Sequence, residues 1–332
     1  MSDFVLGMDI GYSNLKLTFG EAAVPTSIVL PSGAAPRDQL DMSIDGSSSD
    51  ADYLCVTLDD EKWVAGVSNN VIGGNARQLH KNYSRTDTYR ALFYASLHTA
   101  AMKGDILVVD RLVTGLPVDQ HADVACRTAL AEQLTGKHQI SPLMEVDVKK
   151  TIVLPQPAGA YLDISQKLDP ESMRDAVVVV IDPGFFSVDY VVMSGGRIRQ
   201  QSSGTSKKAM SVLIETIDER ARVDLGRPIG HARIENALRT NDLQLKVGPV
   251  TLDLSKYVPD ASKQVASVAM SQMQSQMRHE DIHPDFVVMA GGGSSFFDAA
   301  AKEVFTNVEL IQSDEPVLAN SRGFWLYGVN SK

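Results

Sequence analysis

The sequence predicts an α/β protein built from two related domains, and three stretches carry that prediction. Residues 5–19, VLGMDIGYSNLKLTF, and 177–192, VVVVIDPGFFSVDYVV, each combine an apolar strand ending at an aspartate, a glycine turn and a second strand. Residues 285–305 contain a short apolar strand, three glycines and a helical pattern. A plain hairpin turn explains one copy of the first pattern. Two copies in opposite halves predict similar domains that face each other across a cleft.

Length and composition agree with this organisation. At 332 residues the chain exceeds what one hydrophobic core usually serves, so about two domains are expected. No apolar stretch approaches the roughly 18 residues of a membrane span, and the first residues lack the pattern of an export signal. Cys55 and Cys126 lie far apart, which argues against a disulfide framework or zinc site. We therefore expect a cytoplasmic protein without a membrane partner.

The net charge of −10 argues against broad, direct contact with nucleic acid. Phosphate backbones are bound by clustered Lys and Arg. The longest basic runs here are only the pairs that begin at Lys149 and Lys207.

The two hairpins have the composition of phosphate-binding turns. Small residues expose backbone N–H groups, and glycine lets a phosphate oxygen approach closely. An aspartate at the strand end suits magnesium held through water, because magnesium keeps several waters and takes one or two carboxylates. Asp9, Gly11 and Ser13 of the first hairpin are taken to correspond to Asp182, Gly184 and Ser187 of the second.

The first hairpin also contains a lysine, Lys16, whose side chain is expected to lie near the turn. Asn14, Lys16 and Thr18 share one face of the second strand, since side chains alternate along a strand. We expect Lys16 to neutralise phosphate charge. The candidate nucleotide contacts in the two hairpins are Gly11, Tyr12, Ser13, Asn14, Lys16, Gly184, Phe185, Phe186 and Ser187.

Two further segments contain candidate backbone contacts. Gly291, Gly292 and Gly293 would let a flat ligand lie on bare backbone, although a flexible strand-to-helix connection also explains such a loop. The segment QSSGTS at 201–206 predicts a solvated turn, and Gly204 within it is another candidate contact.

Local patterns predict the remaining elements. Residues 31–52 are rich in Gly, Ser, Pro and Asp and are expected to form a loop. Helices are predicted over 84–103 with a polar cap at Thr86 or Asp87, over 121–136 ending at Gly136, and over 261–280. Met270, Met273 and Met277 fall at helical spacing, which indicates adaptable packing. The run HEDIH, 279–283, is expected to be a solvated loop rather than a metal site.

The order of these elements resembles the actin, Hsp70 and sugar-kinase superfamily. Within it, the chain looks most like the plasmid-segregating actins of the ParM, or StbA, family. The closer likeness is carried by MDIGYSNLKL, YLCVTLDDEKWVAGV as a hairpin, VTGLPVDQ, VLPQPAGAYLD, VIDPGFFSVDYVVM, VVMAGGGSSFF and LANSRGFWLYG. Pro183 stands where Leu or Gly is more usual. Gln156 stands where partition actins typically have Glu and conventional actin has Gln.

The resemblance implies an actin-like, ribonuclease H-like fold with a nucleotide cleft between its domains. Domain I is expected over 1–156, with a small variable subdomain at about 31–85, and domain II over 157–318. A closing helix over 319–332 would complete domain I. Helix 206–222 would border the nucleotide, and the three glycines would form its adenosine loop.

The resemblance also implies the catalytic residues. Gln156 precedes Pro157, which suits the first turn of a helix, and would orient the attacking water. The alternative is an exposed turn amide. Asp9 and Asp182 would hold Mg²⁺ and help orient the water. For Asp189, the strand pattern by itself allows a plain exposed strand residue.

The implied function is a polymerising protein that hydrolyses ATP, or GTP, and forms dynamic head-to-tail filaments for plasmid DNA segregation. Because no basic groove is visible, contact with DNA is expected to pass through a separate DNA-binding adaptor on a centromere-like site. A small-molecule kinase and a nucleotide-sensing scaffold of the same superfamily are the alternatives.

Overall fold

The chain divides into two units along the sequence. The computed structural model describes residues 3–22, 24–40, 53–68, 72 and 82–331. The first unit comprises 1–175 and 312–332, and the second comprises 176–311. This division falls later than the expected 156/157, because the helix that begins at Gln156 packs within the first unit.

The described part of the chain contains both strands and helices. The strands are β1 (Val5–Ile10), β2 (Asn14–Gly20), β3 (Thr26–Pro31), β4 (Gly33–Pro36), β5 (Leu54–Leu58), β6 (Glu61–Val67), β7 (Val108–Val109), β8 (Arg111–Leu116), β9 (Gly136–Ser141), β10 (Met144–Val148), β11 (Thr151–Pro155), β12 (Val177–Pro183), β13 (Val188–Ser194), β14 (Arg197–Ile198), β15 (Gly204–Ser206), β16 (Gln244–Val247), β17 (Val250–Asp253), β18 (Phe286–Met289) and β19 (Glu309–Gln312). The helices are α1 (Asp87–Gly104), α2 (Val118–Ala122), α3 (Val124–Leu134), α4 (Gln156–Ser165), α5 (Pro170–Met173), α6 (Met210–Leu225), α7 (His231–Thr240), α8 (Val258–His279), α9 (Ser294–Val304) and α10 (Ala319–Asn330).

The main sheet of the first unit has the order β11-β8-β1-β2-β3. Strand β1 is antiparallel to β2 and parallel to β8, and β8 is parallel to β11. Every residue of β1 is buried, as expected for an apolar strand covered on both faces. Both α1 and α10 contact β1, so this central strand is held between helices.

The main sheet of the second unit repeats this plan with the order β14-β13-β12-β18-β19. Strand β12 is antiparallel to β13 and parallel to β18, as β1 is to β2 and β8. The predicted internal duplication is therefore present in the topology. In both units the central strand leads directly into a tight hairpin turn.

Most local predictions are confirmed. The small hairpin over 53–67 is β5 and β6, and α1 begins after Thr86, whose hydroxyl accepts a hydrogen bond from the Tyr89 amide. The predicted helix over 261–280 is α8, in which Met270, Met273 and Met277 are buried. None of the helices in the described ranges is long and apolar enough to cross a membrane.

Other local predictions need correction. Gly33–Pro36, expected within a loop, pairs with β6 as strand β4, while residues 41–52 of that loop lie outside the described residues. The helix expected over 121–136 divides into α2 and α3 and ends at Leu134, before Gly136. The helix expected over 206–222 begins later, at Met210, because Gly204–Ser206 forms strand β15 against β13.

Candidate functional site

The turns of the two hairpins have the same hydrogen bond. The amide of Gly11 donates to the Asn14 carbonyl at 3.0 Å, and the amide of Gly184 donates to the Ser187 carbonyl at 2.8 Å. Asn14 therefore corresponds to Ser187, and the predicted match between Ser13 and Ser187 is wrong. The prediction matched the two residues by their type. In the structure the equivalent residue lies three positions after the glycine in each turn, which is Asn14 in the first and Ser187 in the second.

Asp9 is the centre of the site in the first unit. Its side chain is buried, and it lies opposite Lys16 in the register of β1 and β2. The Lys16 ammonium lies 3.0 Å from Asp9 Oδ2, and Asn320 Nδ2 donates to the same oxygen at 3.4 Å. Gln156 Nε2 donates to Oδ1 at 3.2 Å. Three of the predicted residues thus meet, together with one that was not predicted.

Gln156 reaches Asp9 because of how its helix begins. It is the first residue of α4, with Pro157 next to it at the helix N-terminus. Gly115, at the end of β8, leaves room for its side chain, since a β-carbon there would lie 2.8 Å from Gln156 Cγ. Sequence reasoning assigned no role to Gly115, although it lies in the quoted stretch VTGLPVDQ.

Asn320 reaches Asp9 because α10 crosses α4 at very short range. A β-carbon at Gly323 would overlap the carbonyl oxygen of Gly159, and one at Gly159 would lie 2.5 Å from the Asn320 carbonyl oxygen. Only glycine permits this approach of two helix backbones. The small residues of LANSRGFWLYG are compatible with a close helix crossing. No residue near Asn320 in the sequence indicates that Asn320 contacts Asp9.

Tyr12, at the tip of the first turn, belongs to an aromatic cluster. Its ring stacks on Tyr83 with centroids 4.2 Å apart, and Tyr83 meets the edge of Tyr89 at 5.7 Å. Burial raises the pKa of the Tyr89 hydroxyl, and the negative charge of Asp9 adds a smaller effect. The cluster packs the tip of the turn against the start of α1.

The second turn is fixed by the N-terminus of α6. The carbonyls of Gly184 and Phe185 accept hydrogen bonds from the amides of Met210 and Ser211 at 3.2 and 2.8 Å. The C=O and N–H of one planar trans peptide point in opposite directions. The amides of Phe185 and Phe186 therefore point away from α6, in the arrangement by which consecutive N–H groups bind an anion.

The loop of three glycines packs against the same strand end. The Gly293 amide donates to the Pro183 carbonyl at 3.0 Å. Gly291 has φ +75, and a β-carbon there would overlap Asp182 Oδ1, so this position requires glycine. Asp182 is thereby buried between its own strand and the glycine loop.

Asp189 and Gly204 differ from their predictions. Asp189 is 3% exposed and not an exposed strand residue. It accepts hydrogen bonds from the Ser187 hydroxyl at 2.6 Å and the Thr205 hydroxyl at 2.5 Å. Gly204 is the first residue of β15 and pairs with Tyr190 of β13, so it does not lie in a solvated turn. The Ser187 hydroxyl thus donates to a protein carboxylate.

Asp9 has the chemistry of a carboxylate that holds a metal through water. Both of its oxygens already accept protein donors. Among the residues that the structure describes, no three His, Cys, Asp or Glu side chains form a group able to coordinate an ion directly. Magnesium keeps several of its waters and takes only one or two carboxylates, so a carboxylate such as Asp9, with donors on both oxygens, fits an ion held through water.

Comparison with known families agrees with this geometry. Residues 7–159 match the model of the actin-like proteins N-terminal domain, and residues 180–303 match that of the archaeal actin homologue MreB-like, C-terminal. The chain belongs to the actin-like protein family. The first match contains Asp9, Lys16 and Gln156, and the second contains the turn of the second hairpin and the glycine loop.

Solved structures share this actin-like fold over their full lengths. Ta0583, an archaeal actin homolog, has a TM-score of 0.79 at 16% identity, covering 99% of this chain and 100% of its own. ParM from a 15-stranded filament of Clostridium botulinum has a TM-score of 0.74 at 18% identity, covering 99% of each chain. Bacillus thuringiensis ParM with AMPPNP has a TM-score of 0.67 at 14% identity, also covering 99% of each chain. No curated protein sequence matches the chain significantly.

Proposed function

We propose that this actin-like protein hydrolyses ATP or GTP and forms dynamic head-to-tail filaments that segregate plasmid DNA. The observation that carries the proposal is the contact of Gln156 and Lys16 with Asp9 at the turn of the first hairpin. This contact brings together an ammonium, a carboxylate and a carboxamide beside the turn that is proposed to bind phosphate. Charge neutralisation and positioning of water are what phosphoryl transfer requires.

The phosphates are proposed to bind at the two turns. Backbone amides of Tyr12 and Ser13 in the first unit, and of Phe185 and Phe186 in the second, would donate to phosphate oxygens. Gly11 would contribute close approach to the phosphate, because its own amide already donates to the Asn14 carbonyl. Lys16 would neutralise the phosphate charge, and Asn14 and Gly184 would fix the turns themselves. The glycine loop and Gly204 are proposed to contact the rest of the nucleotide through backbone. This arrangement suits ATP or GTP.

Gln156 is proposed to orient the attacking water. Its Nε2 donates to Asp9, and its carbonyl oxygen Oε1 would accept a proton of the attacking water. Asp9 and Asp182 would hold a magnesium ion through water, and the ion would supply neutralisation of charge on the terminal phosphates. Asp9 thus fixes the direction of the Gln156 amide.

Filament formation and plasmid cargo rest on the likeness to ParM. The structural neighbours include a ParM filament of Clostridium botulinum, and other neighbours carry ADP or AMPPNP. The net charge of −10 disfavours direct DNA contact, so we propose a DNA-binding adaptor on a centromere-like site. A head-to-tail filament exposes at its end a surface that interior subunits bury, which suits such an adaptor.

Ultracentrifugation with magnesium and ATP or GTP tests the proposal. The protein should sediment as large assemblies with one of the two nucleotides, whereas Asp9→Ala should remain in the supernatant. Nucleotide turnover that depends on an added small molecule, without assemblies, would support a kinase instead. Binding without turnover or assemblies would support a nucleotide-sensing scaffold.

Labelled DNA added to the same sedimentation assay tests the adaptor. At near-physiological salt, filaments alone should leave DNA in the supernatant, and addition of the protein encoded next to this one should bring a centromere-like fragment into the pellet. Strong sedimentation of any DNA by the filaments alone would contradict an indirect contact.

A further inference from the structure

We propose that Asn320 of α10 is a positioning residue that fixes Asp9 and the start of α4, and thereby aims Gln156. This inference rests on the proposed nucleotide hydrolysis and extends it to a residue of the last helix. Asn320 is buried, and both ends of its carboxamide have partners in the first unit. A buried amide that satisfies two separate elements connects them geometrically.

The contacts form a closed ring. Asn320 Nδ2 donates to Asp9 Oδ2 at 3.4 Å, and its Oδ1 accepts from the Ala160 amide at 3.2 Å. Ala160 lies in the same helix as Gln156, which donates to the other oxygen of Asp9. Asp9 therefore contacts α4 directly through Gln156 and indirectly through Asn320. Two connections between the same partners restrict rotation of the carboxylate, whereas a single hydrogen bond would permit it.

The helix crossing sets the length of this connection. Gly159 and Gly323 bring the backbones of α4 and α10 into contact, and α10 also packs on β1, where Gly7 leaves room for the Ser321 carbonyl. Asparagine then spans the remaining distance to Asp9. Groups that hold a ligand carboxylate in place typically change metal affinity or activity by about 10- to 100-fold when removed.

A merely structural role for Asn320 predicts something different. Ser321, the next residue of α10, is equally buried and bonds to the Thr18 hydroxyl at 3.1 Å and the Leu318 carbonyl at 3.0 Å. It has no hydrogen bond with Asp9 among the described contacts. Ser321→Ala is therefore the matched control for loss of a buried polar contact in this helix.

The test measures Asn320→Ala and Ser321→Ala in the wild-type and Asp9→Asn backgrounds. Three quantities are followed: the Tm without ligand, the magnesium concentration for half-maximal retention of AMPPNP, and kcat with KM at saturating magnesium. Both single variants should lower Tm. Only Asn320→Ala should raise the magnesium requirement and lower kcat, each by about tenfold, with KM nearly unchanged.

The Asp9→Asn background decides whether Asn320 acts through Asp9. There Asn320→Ala should add less than about twofold to the magnesium requirement, because coupled residues are not additive. Equal effects in both backgrounds, or a lower Tm with unchanged magnesium dependence, would overturn the inference. If Asn320→Ala fails to fold, Asn320→Ser leaves a smaller gap and carries the same expectations.

Retention of AMPPNP by the wild-type protein distinguishes failure of this inference from failure of the proposed function. If wild type retains no AMPPNP with magnesium, the proposed function fails, and positioning of Asp9 fails with it. If wild type retains AMPPNP and Asn320→Ala matches it, only the role of Asn320 is overturned.

Discussion

Gln156 donates a hydrogen bond to Asp9 at 3.2 Å, although the two residues lie 147 positions apart in the chain. Asp9 is the penultimate residue of the central strand of the first unit, and Gln156 begins a helix that packs against α10. The contact joins the proposed magnesium carboxylate to the proposed water-orienting amide. Their roles therefore depend on each other, which makes them testable together.

Replacement of Gln156 by alanine should slow hydrolysis without preventing nucleotide binding. Positioning of water matters mainly in the transition state, so kcat should fall by about 100-fold while nucleotide affinity changes little. Phosphate release and calorimetry measure the two quantities. Gln166→Ala, at the exposed C-terminal end of the same helix, is the matched control and should behave as wild type. Unchanged phosphate release by Gln156→Ala would leave Gln156 as a helix-start residue only.

Substitutions in the glycine loop should distinguish an effect on nucleotide binding from an effect on folding. No atom lies within 4 Å of a β-carbon built on Gly292, whereas one on Gly291 would overlap Asp182. Gly292→Ala should therefore keep the wild-type Tm and yet weaken nucleotide binding if the ligand lies on this backbone. Gly291→Ala should lower Tm whether nucleotide is present or not. Wild-type nucleotide affinity in a folded Gly292→Ala protein would remove Gly292 from the binding surface.

The sequence was informative where the chemistry is local. Asp9 and Lys16 follow from strand alternation around a single turn. The flanking prolines predict that Gln156 begins a helix, whereas its proposed role comes from the family resemblance. Asn320 could not be predicted because its partner Asp9 lies 311 positions away and is reached only through the Gly159 and Gly323 crossing. Contacts of this kind depend on packing between elements, which no local pattern encodes.

Asp189 is buried, whereas the local sequence pattern favours an exposed side chain at this position. An acidic residue in a strand favours an exposed position, because burial of a charge is costly without partners. Here Ser187 and Thr205 supply two hydroxyl donors, and β15 covers the strand. The segment around Gly204 has the composition of a turn, so composition could not predict that it pairs with β13 as strand β15.

The ion pair between Asp163 and Arg322 should contribute strongly to stability. Arg322 donates to both oxygens of Asp163 at 2.9 and 2.7 Å, and the carboxylate is nearly buried. Asp163→Ala leaves Glu315 as the remaining carboxylate partner of the guanidinium and should lower the free energy of unfolding by about 2 kcal/mol, the typical contribution of a hydrogen bond to a charged group. Asp314→Ala, which removes the exposed pair with Lys167, should leave Tm nearly unchanged. Denaturant unfolding of both variants checks this, and equal effects would contradict the burial argument.

Acid should destabilise the protein through its half-buried histidines. Burial lowers the pKa of His98, His121 and His138. The unfolded chain therefore binds more protons than the folded one as pH falls through about 6.5, and stability decreases in that direction. His138→Gln should reduce proton uptake on unfolding by up to about one proton between pH 7.5 and 5.5. Gln139→Ala, on the same strand, should keep the wild-type slope in Tm against pH, and an unchanged slope in His138→Gln would contradict the expectation.

Light scattering recorded together with phosphate release, after magnesium and nucleotide are added, tests the link between hydrolysis and filament dynamics most directly. Wild type should give a rise in scattering that decays as phosphate appears. Gln156→Ala should give the same rise with a decay slowed in proportion to its hydrolysis. Absence of any rise in wild type with ATP and with GTP, or a decay that is equally fast in Gln156→Ala despite slowed phosphate release, would contradict a filament whose lifetime is set by the Asp9 and Gln156 site.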